Sequence, residues 1–140
     1  MAYALATLDD PYRALGRAAA LCARHPAFAD RPFGQWTRVL MGQVNRGDYR
    51  FVLKDRTLIG FLGWVRTDET GAERWLSGVP PETSPDGDHV VLNALACDDP
   101  GALPFIAREA GTLVPPPFML VGKRFYEDGR VRPVRLPIRA

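Results

Sequence analysis

Two apolar runs, LIGFLGWV at residues 58–65 and HVVLNALAC at 89–97, constrain the fold of this chain more than any other feature. A run apolar at nearly every position reads as a strand covered on both faces, so Leu58–Val65 needs material above and below it. Gly60 and Gly63 inside that run point to a bulge or a close backbone approach. The second run is another apolar strand, with the amide of Asn93 in its middle.

The covering material lies upstream. Asp9-Asp10-Pro11 is a helix start, an Asp cap followed by proline in the first turn. Leu8, Tyr12, Leu15, Ala19 and Cys22 recur at three- and four-residue steps and share one face. Pro26 pushes His25 out of the helical region and ends that helix. A second start at Asp30-Arg31-Pro32 opens a helix with a stripe of Phe33, Trp36, Leu40 and Val44, stopped by Gly47. Tyr49, Phe51 and Leu53 then alternate with Arg50, Val52 and Lys54 before a tight turn at Asp55-Arg56. Residues 67–87 read as a polar, proline-bearing connection with one short strand around Arg74–Ser77. Asp99-Pro100 opens a third helix, and Phe118–Arg124 and Arg130–Arg135 form a terminal hairpin around Glu127-Asp128-Gly129. The expected order is α-α-β-β-(β)-β-α-β-β in one α/β domain spanning 1–140.

Composition excludes several classes. Net charge is +2 over 140 residues, too small to imply nucleic acid. No stretch approaches the ~20 apolar residues of a membrane span. MAYALATLDDPYR carries acids where a signal peptide needs an apolar core, so a cytoplasmic start is expected. The two cysteines, Cys22 and Cys97, are too few for a disulfide framework and lack metal-ligand spacing. Charge is uneven, however. Between residues 123 and 140, Lys123, Arg124, Arg130, Arg132, Arg135 and Arg139 face only Glu127 and Asp128. That excess reads either as a solvated outer face or as an attractor for an acidic partner.

Few residues offer chemistry. Cys22 and His25 stand three apart at a helix C-terminus, where the helix dipole favours a protonated imidazole and an imidazolium would acidify a thiol. A buried thiol beside a turn histidine explains the same spacing. Asn93 needs hydrogen-bond partners or costs ~1–3 kcal/mol, and it either faces a cleft or satisfies a neighbouring backbone. His89, beside Asp88, reads as a surface residue, and Asp98 and Asp99 as a helix cap. There is no nucleophile elbow, P-loop or dinucleotide fingerprint.

Three stretches carry a family resemblance: HPAFADRPFGQWTRVLMGQVNRGDYRFVL, DRTLIGFLGWVRTDE and GDHVVLNALACDDPGA. Over residues 15–136 the chain resembles the toxin-activating (haemolysin-activating) lysine acyltransferases. The resemblance implies a GNAT-like fold, a mixed, mostly antiparallel sheet flanked by helices. It implies transfer of a fatty acyl group from acyl-carrier protein to a lysine of a protein substrate, with no tightly bound cofactor. His25 matches that family's catalytic histidine. Cys22 stands where the family usually has serine, and Asn93 where it has its catalytic aspartate. The second departure removes a charge, and where such a charge supports a hydrolase triad histidine, Asp→Asn lowers turnover ~10⁴-fold. The chain is also shorter at its C-terminus than the family.

Ordinary GNAT enzymes cradle the coenzyme A pyrophosphate with backbone N–H groups entering the helix after the fourth strand. Here that junction reads CDDPGALPF, with two acids and two prolines, which disfavours coenzyme A. An acidic carrier protein would instead meet the basic hairpin through Lys123, Arg124, Arg130, Arg132 and Arg135. Three functions therefore stand side by side: a carrier-dependent lysine acyltransferase with catalytic His25, Asn93 and Cys22; a non-catalytic GNAT-like module binding a protein partner; and, more remotely, a coenzyme A-dependent acetyltransferase. A homodimer is left open.

Overall fold

The computed structural model describes residues 2–140. Six strands form one sheet in sequence order, β1 (Tyr3–Ala6), β2 (Tyr49–Lys54), β3 (Thr57–Thr67), β4 (His89–Cys97), β5 (Phe118–Phe125) and β6 (Val131–Ile138). Five helices accompany them: α1 (Pro11–Ala23), α2 (Pro26–Ala29), α3 (Phe33–Arg46), α4 (Glu69–Leu76) and α5 (Leu103–Glu109). β1–β2, β2–β3 and β5–β6 pair antiparallel, whereas β4 and β5 run parallel from His89/Met119 to Val91/Val121. By contacts the chain divides into two compact units, Met1–Gly63 with Ala94–Ile106, and Trp64–Asn93 with Ala107–Ala140.

In the first unit the core gathers Ala14, Ala18, Leu21 and Cys22 of α1, Leu40 and Val44 of α3, and Tyr49, Phe51, Phe61, Ala94 and Ala96 of the strands. Each large apolar side chain buried this way contributes ~1.5–3 kcal/mol. The α1 stripe is rotated from the expected one: Tyr12 is 77% exposed, Ala19 is exposed, and Ala14 and Ala18 take the inner face. Phe33, expected inside, is 85% exposed. In a run of alanines a one-residue rotation leaves the apolar count unchanged, and larger neighbours decide the face. Asp10 caps α1 by accepting from the Tyr12 and Arg13 amides, and Gly47 ends α3 at φ +76°, a left-handed position that favours glycine.

The second unit packs Ala72 and Trp75 of α4 against Val91 and Val121. Residues 74–77, expected as a short strand, lie in α4 and its C-cap, with Asp68 capping the helix through the Gly71 amide. The short edge strand β1 is an addition to the expected order. Asp55 and Arg56 both adopt positive φ, 49° and 71°, which makes the β2–β3 connection a type I′ hairpin built without glycine.

Candidate functional site

The first unit builds one polar site from two chain reversals. α1 ends at Arg24, and His25 takes the extended conformation (φ −102°, ψ 126°) that a following proline requires. The His25 carbonyl accepts from the Phe28 and Ala29 amides, so its backbone starts α2, while its side chain makes no capping bond. The imidazole is therefore not consumed by the turn.

The partner arrives from the sheet. Val52 pairs with Gly60 and Leu53 with Leu58, which leaves Ile59 as an extra residue in β3. The Ile59 carbonyl accepts from the Asp98 amide at 2.9 Å, fixing the residue that follows β4. Close approach at this point requires a glycine: a Cβ on Gly60 would lie 2.9 Å from Cys97 Sγ. Asp98 thus presents Oδ1 to His25 Nε2 at 3.2 Å and Oδ2 to Arg24 Nη2 at 2.5 Å. The His25 side chain is 25% exposed, that of Asp98 42% and that of Arg24 55%. In the neutral ring a proton on Nε2 donates to Asp98, which leaves the Nδ1 lone pair as the basic position. A carboxylate holding one imidazole nitrogen while the other takes a proton is the arrangement general-base catalysis needs.

Asp98 was legible in the sequence only as part of a cap; its neighbour performs that task. Asp99 Oδ1 accepts from the Gly101 amide, and Oδ2 accepts from the Tyr3 hydroxyl at 2.7 Å and Lys54 Nζ at 3.1 Å. The Tyr3 hydrogen bond, then the Gly101 amide and Lys54, hold the Asp99 carboxyl below its ordinary range. The same bond raises Tyr3, and Asp99 likewise raises Lys54. Four backbone donors at this junction are spent internally: the Asp98 amide on Ile59, Gly101 on the Asp99 side chain, Ala102 on the Asp99 carbonyl and Leu103 on Pro100.

Cys22 is 1% exposed, and burial pushes its thiol up to about 11, against a smaller lowering influence from Trp36. At neutral pH that thiol is protonated. Asn93 is buried in β4 and belongs to the second unit, whereas His25 belongs to the first. His89 is not a plain surface residue: its side chain is 14% exposed and its Nδ1 lies 2.7 Å from Asp88 Oδ1. On the hairpin, Lys123 Nζ sits 4.2 Å from the Trp75 ring centroid, Arg130 pairs with Asp128, and Arg135 forks onto Glu73. Arg124 and Arg132 are exposed and occupy directly opposite positions in the β5–β6 ladder.

Among the described residues no group of three or more His, Cys, Asp or Glu side chains is placed to hold a metal ion, and no helix is long and apolar enough to cross a membrane. No protein-family model and no curated protein matches the sequence. Solved structures do. A GNAT-like decarboxylase, GphF, in complex with isobutyryl-CoA superposes at a TM-score of 0.57 with 21% identity, over 91% of this chain and 68% of that one. The loading GNATL domain of CurA from Lyngbya majuscula superposes at 0.56 with 12% identity, over 91% and 67%. The fold is GNAT-like. The mixed, mostly antiparallel sheet and its flanking helices are those expected from the sequence resemblance.

Proposed function

We propose that this GNAT-like chain transfers an acyl group from the thioester of an acyl-carrier protein to a protein lysine, in the manner of the toxin-activating acyltransferases. The observation that carries the reading is the His25 Nε2–Asp98 Oδ1 contact of 3.2 Å at a partly open position. His25 Nδ1 takes the proton as the lysine nitrogen attacks the thioester carbonyl. The new C–N bond forms, the C–S bond breaks, and the carrier thiol leaves with a proton returned from the imidazolium. Asp98 holds the ring and supports its charged form, the role that the resemblance assigns to position 93, where an asparagine stands. Cys22, three residues before His25, is buried in the core and its thiol stays protonated. The spent amides of Asp98, Gly101, Ala102 and Leu103 support a carrier-bound donor over coenzyme A.

The test incubates the protein with labelled acyl-carrier protein and a lysine-bearing partner. Label should pass to the partner in a His25-dependent manner. Equal transfer by wild type and His25→Ala would sink the reading, and His89→Gln serves as the control for the other histidine. Mass analysis of the carrier separates transfer, which empties it, from decarboxylation, which shortens the acyl group and leaves the thioester intact.

A second reading, a non-catalytic protein-binding module, is favoured by Tyr12 and Phe33, whose exposures of 77% and 85% suit aromatic anchors on α1 and α3. His25-dependent turnover excludes it.

A further inference from the structure

Alternate residues of the β5–β6 hairpin lie on opposite faces, and the two faces handle their cations differently. One face carries Val121, Lys123 and Arg135. It is covered by α4: Val121 packs with Ala72 and Trp75, Lys123 lies over the Trp75 ring, and Arg135 forks onto Glu73 at 2.9 Å to each oxygen. These two cations are held by a helix of their own unit.

The other face carries Gly122, Arg124, Arg132 and Val134. Arg124 and Arg132 are direct cross-strand partners, and like charges so placed repel. Among the described residues neither has a carboxylate within ion-pairing distance. The surface beside them is open, since a Cβ on Gly122 would meet nothing within 4 Å and Val134 is 43% exposed. The Tyr126 ring centroid lies 5.2 Å from the Arg124 guanidinium carbon. Arg130, on the same ring at 4.7 Å, is tied to Asp128. The hairpin thus offers two uncompensated guanidinium groups side by side on one open face. Two such charges suit a few clustered carboxylates and are too few for the six to ten phosphate contacts of a typical nucleic-acid binder.

We propose that this face, centred on Arg124 and Arg132, is the docking surface for an acidic carrier protein. The inference rests on the carrier-donor reading above and narrows it: Lys123, Arg130 and Arg135 are engaged by Trp75, Asp128 and Glu73 of their own chain, and Arg124 and Arg132 make the contact. An acidic partner stabilises a pair that repels in the free protein.

The test is a calorimetric titration with acyl-carrier protein at low and high salt, for wild type, the double variant Arg124→Glu/Arg132→Glu, and Arg135→Gln. Circular dichroism checks that each variant is folded. The double variant should bind about tenfold more weakly or worse and lose the salt dependence that wild type shows, while Arg135→Gln stays within about twofold. A double variant that binds like wild type overturns the surface and leaves the carrier reading standing. Wild type that binds no carrier at all overturns the carrier reading, and this proposal with it. Charge-dependent binding of anionic vesicles or oligonucleotides in place of the carrier also overturns it.

Discussion

Asp98→Asn removes a charge from the site with almost no change of shape, and its effect can be worked from the geometry. The amide keeps an oxygen that can accept from His25 Nε2, so ring orientation survives and the charge alone is lost. Unit charges 4 Å apart interact by about 4 kcal/mol at an effective dielectric of 20 and by about 1 kcal/mol in bulk water. The two side chains here are 25% and 42% exposed, and Arg24 already draws on the same carboxylate, so the lower half of that range applies. About 2 kcal/mol of support for the imidazolium corresponds to a loss of about 30-fold in the transfer step. Stability should fall by no more than about 1 kcal/mol, because the Arg24–Asp98 pair is exposed. The assay is single-turnover transfer of labelled acyl groups from carrier to lysine, read beside thermal melts. Arg24→Ala is the companion variant: it leaves His25 as the carboxylate's remaining cation, and transfer should be unchanged or faster. If Asp98→Asn transfers as fast as wild type while His25→Ala is dead, Asp98 does not support the base, and the reasoning fails.

Three further outcomes follow from the same geometry. Cys22 should resist alkylation in the native state at mildly alkaline pH and react fully once unfolded, because its thiol is buried and pushed up to about 11; rapid native labelling contradicts this. Gly63→Ala would bring a Cβ to 2.2 Å from Gln43 Oε1 in the core and should cost ~1–3 kcal/mol in chemical denaturation; an unchanged midpoint would show that Gln43 can move aside freely. Asp99, with its carboxyl lowered by Tyr3, Gly101 and Lys54, contributes stability that is fully present above the ordinary carboxylate pKa of 3.8 and lost as pH falls through its lower folded value. The melting-temperature gap between wild type and Asp99→Asn should therefore hold steady at neutral pH and close at strongly acid pH; a gap that widens on acidification refutes the assignment.

The parts legible in the sequence were those decided locally. Asp10-Pro11, Gly47, the 55–56 turn and the two apolar strands each carry their own signal, and each formed where expected. Helix α4, where a short strand is expected, does carry a local signal: Asp68 caps it, and Ala72, Trp75 and Leu76 recur at helical steps. Pro80, Pro81 and Pro85 in the same stretch suit an extended connection equally well and mask that pattern. Strand β1 is four residues long and is held by its pairing with β2, which no local pattern announces. The site divides in the same way. His25 stood out because a histidine before a proline at a helix end is locally unusual. Asp98 did not, because two consecutive acids before a proline read equally well as one cap, and only the Ile59 bulge decides which of them turns toward the helix end. Asn93 drew attention because an amide inside an apolar strand needs a partner, but its place in the second unit follows from long-range packing.

The central claim is that Asp98 holds His25 by Nε2 and leaves Nδ1 as the basic atom. Nitrogen-15 correlation spectra of the imidazoles test it most directly, with His89→Gln isolating the one remaining ring. At a pH where that ring is neutral, the account predicts the Nε2–H tautomer in wild type and a mixed population in Asp98→Ala. An Nδ1–H tautomer, or a wild-type spectrum that Asp98→Ala does not alter, would contradict it.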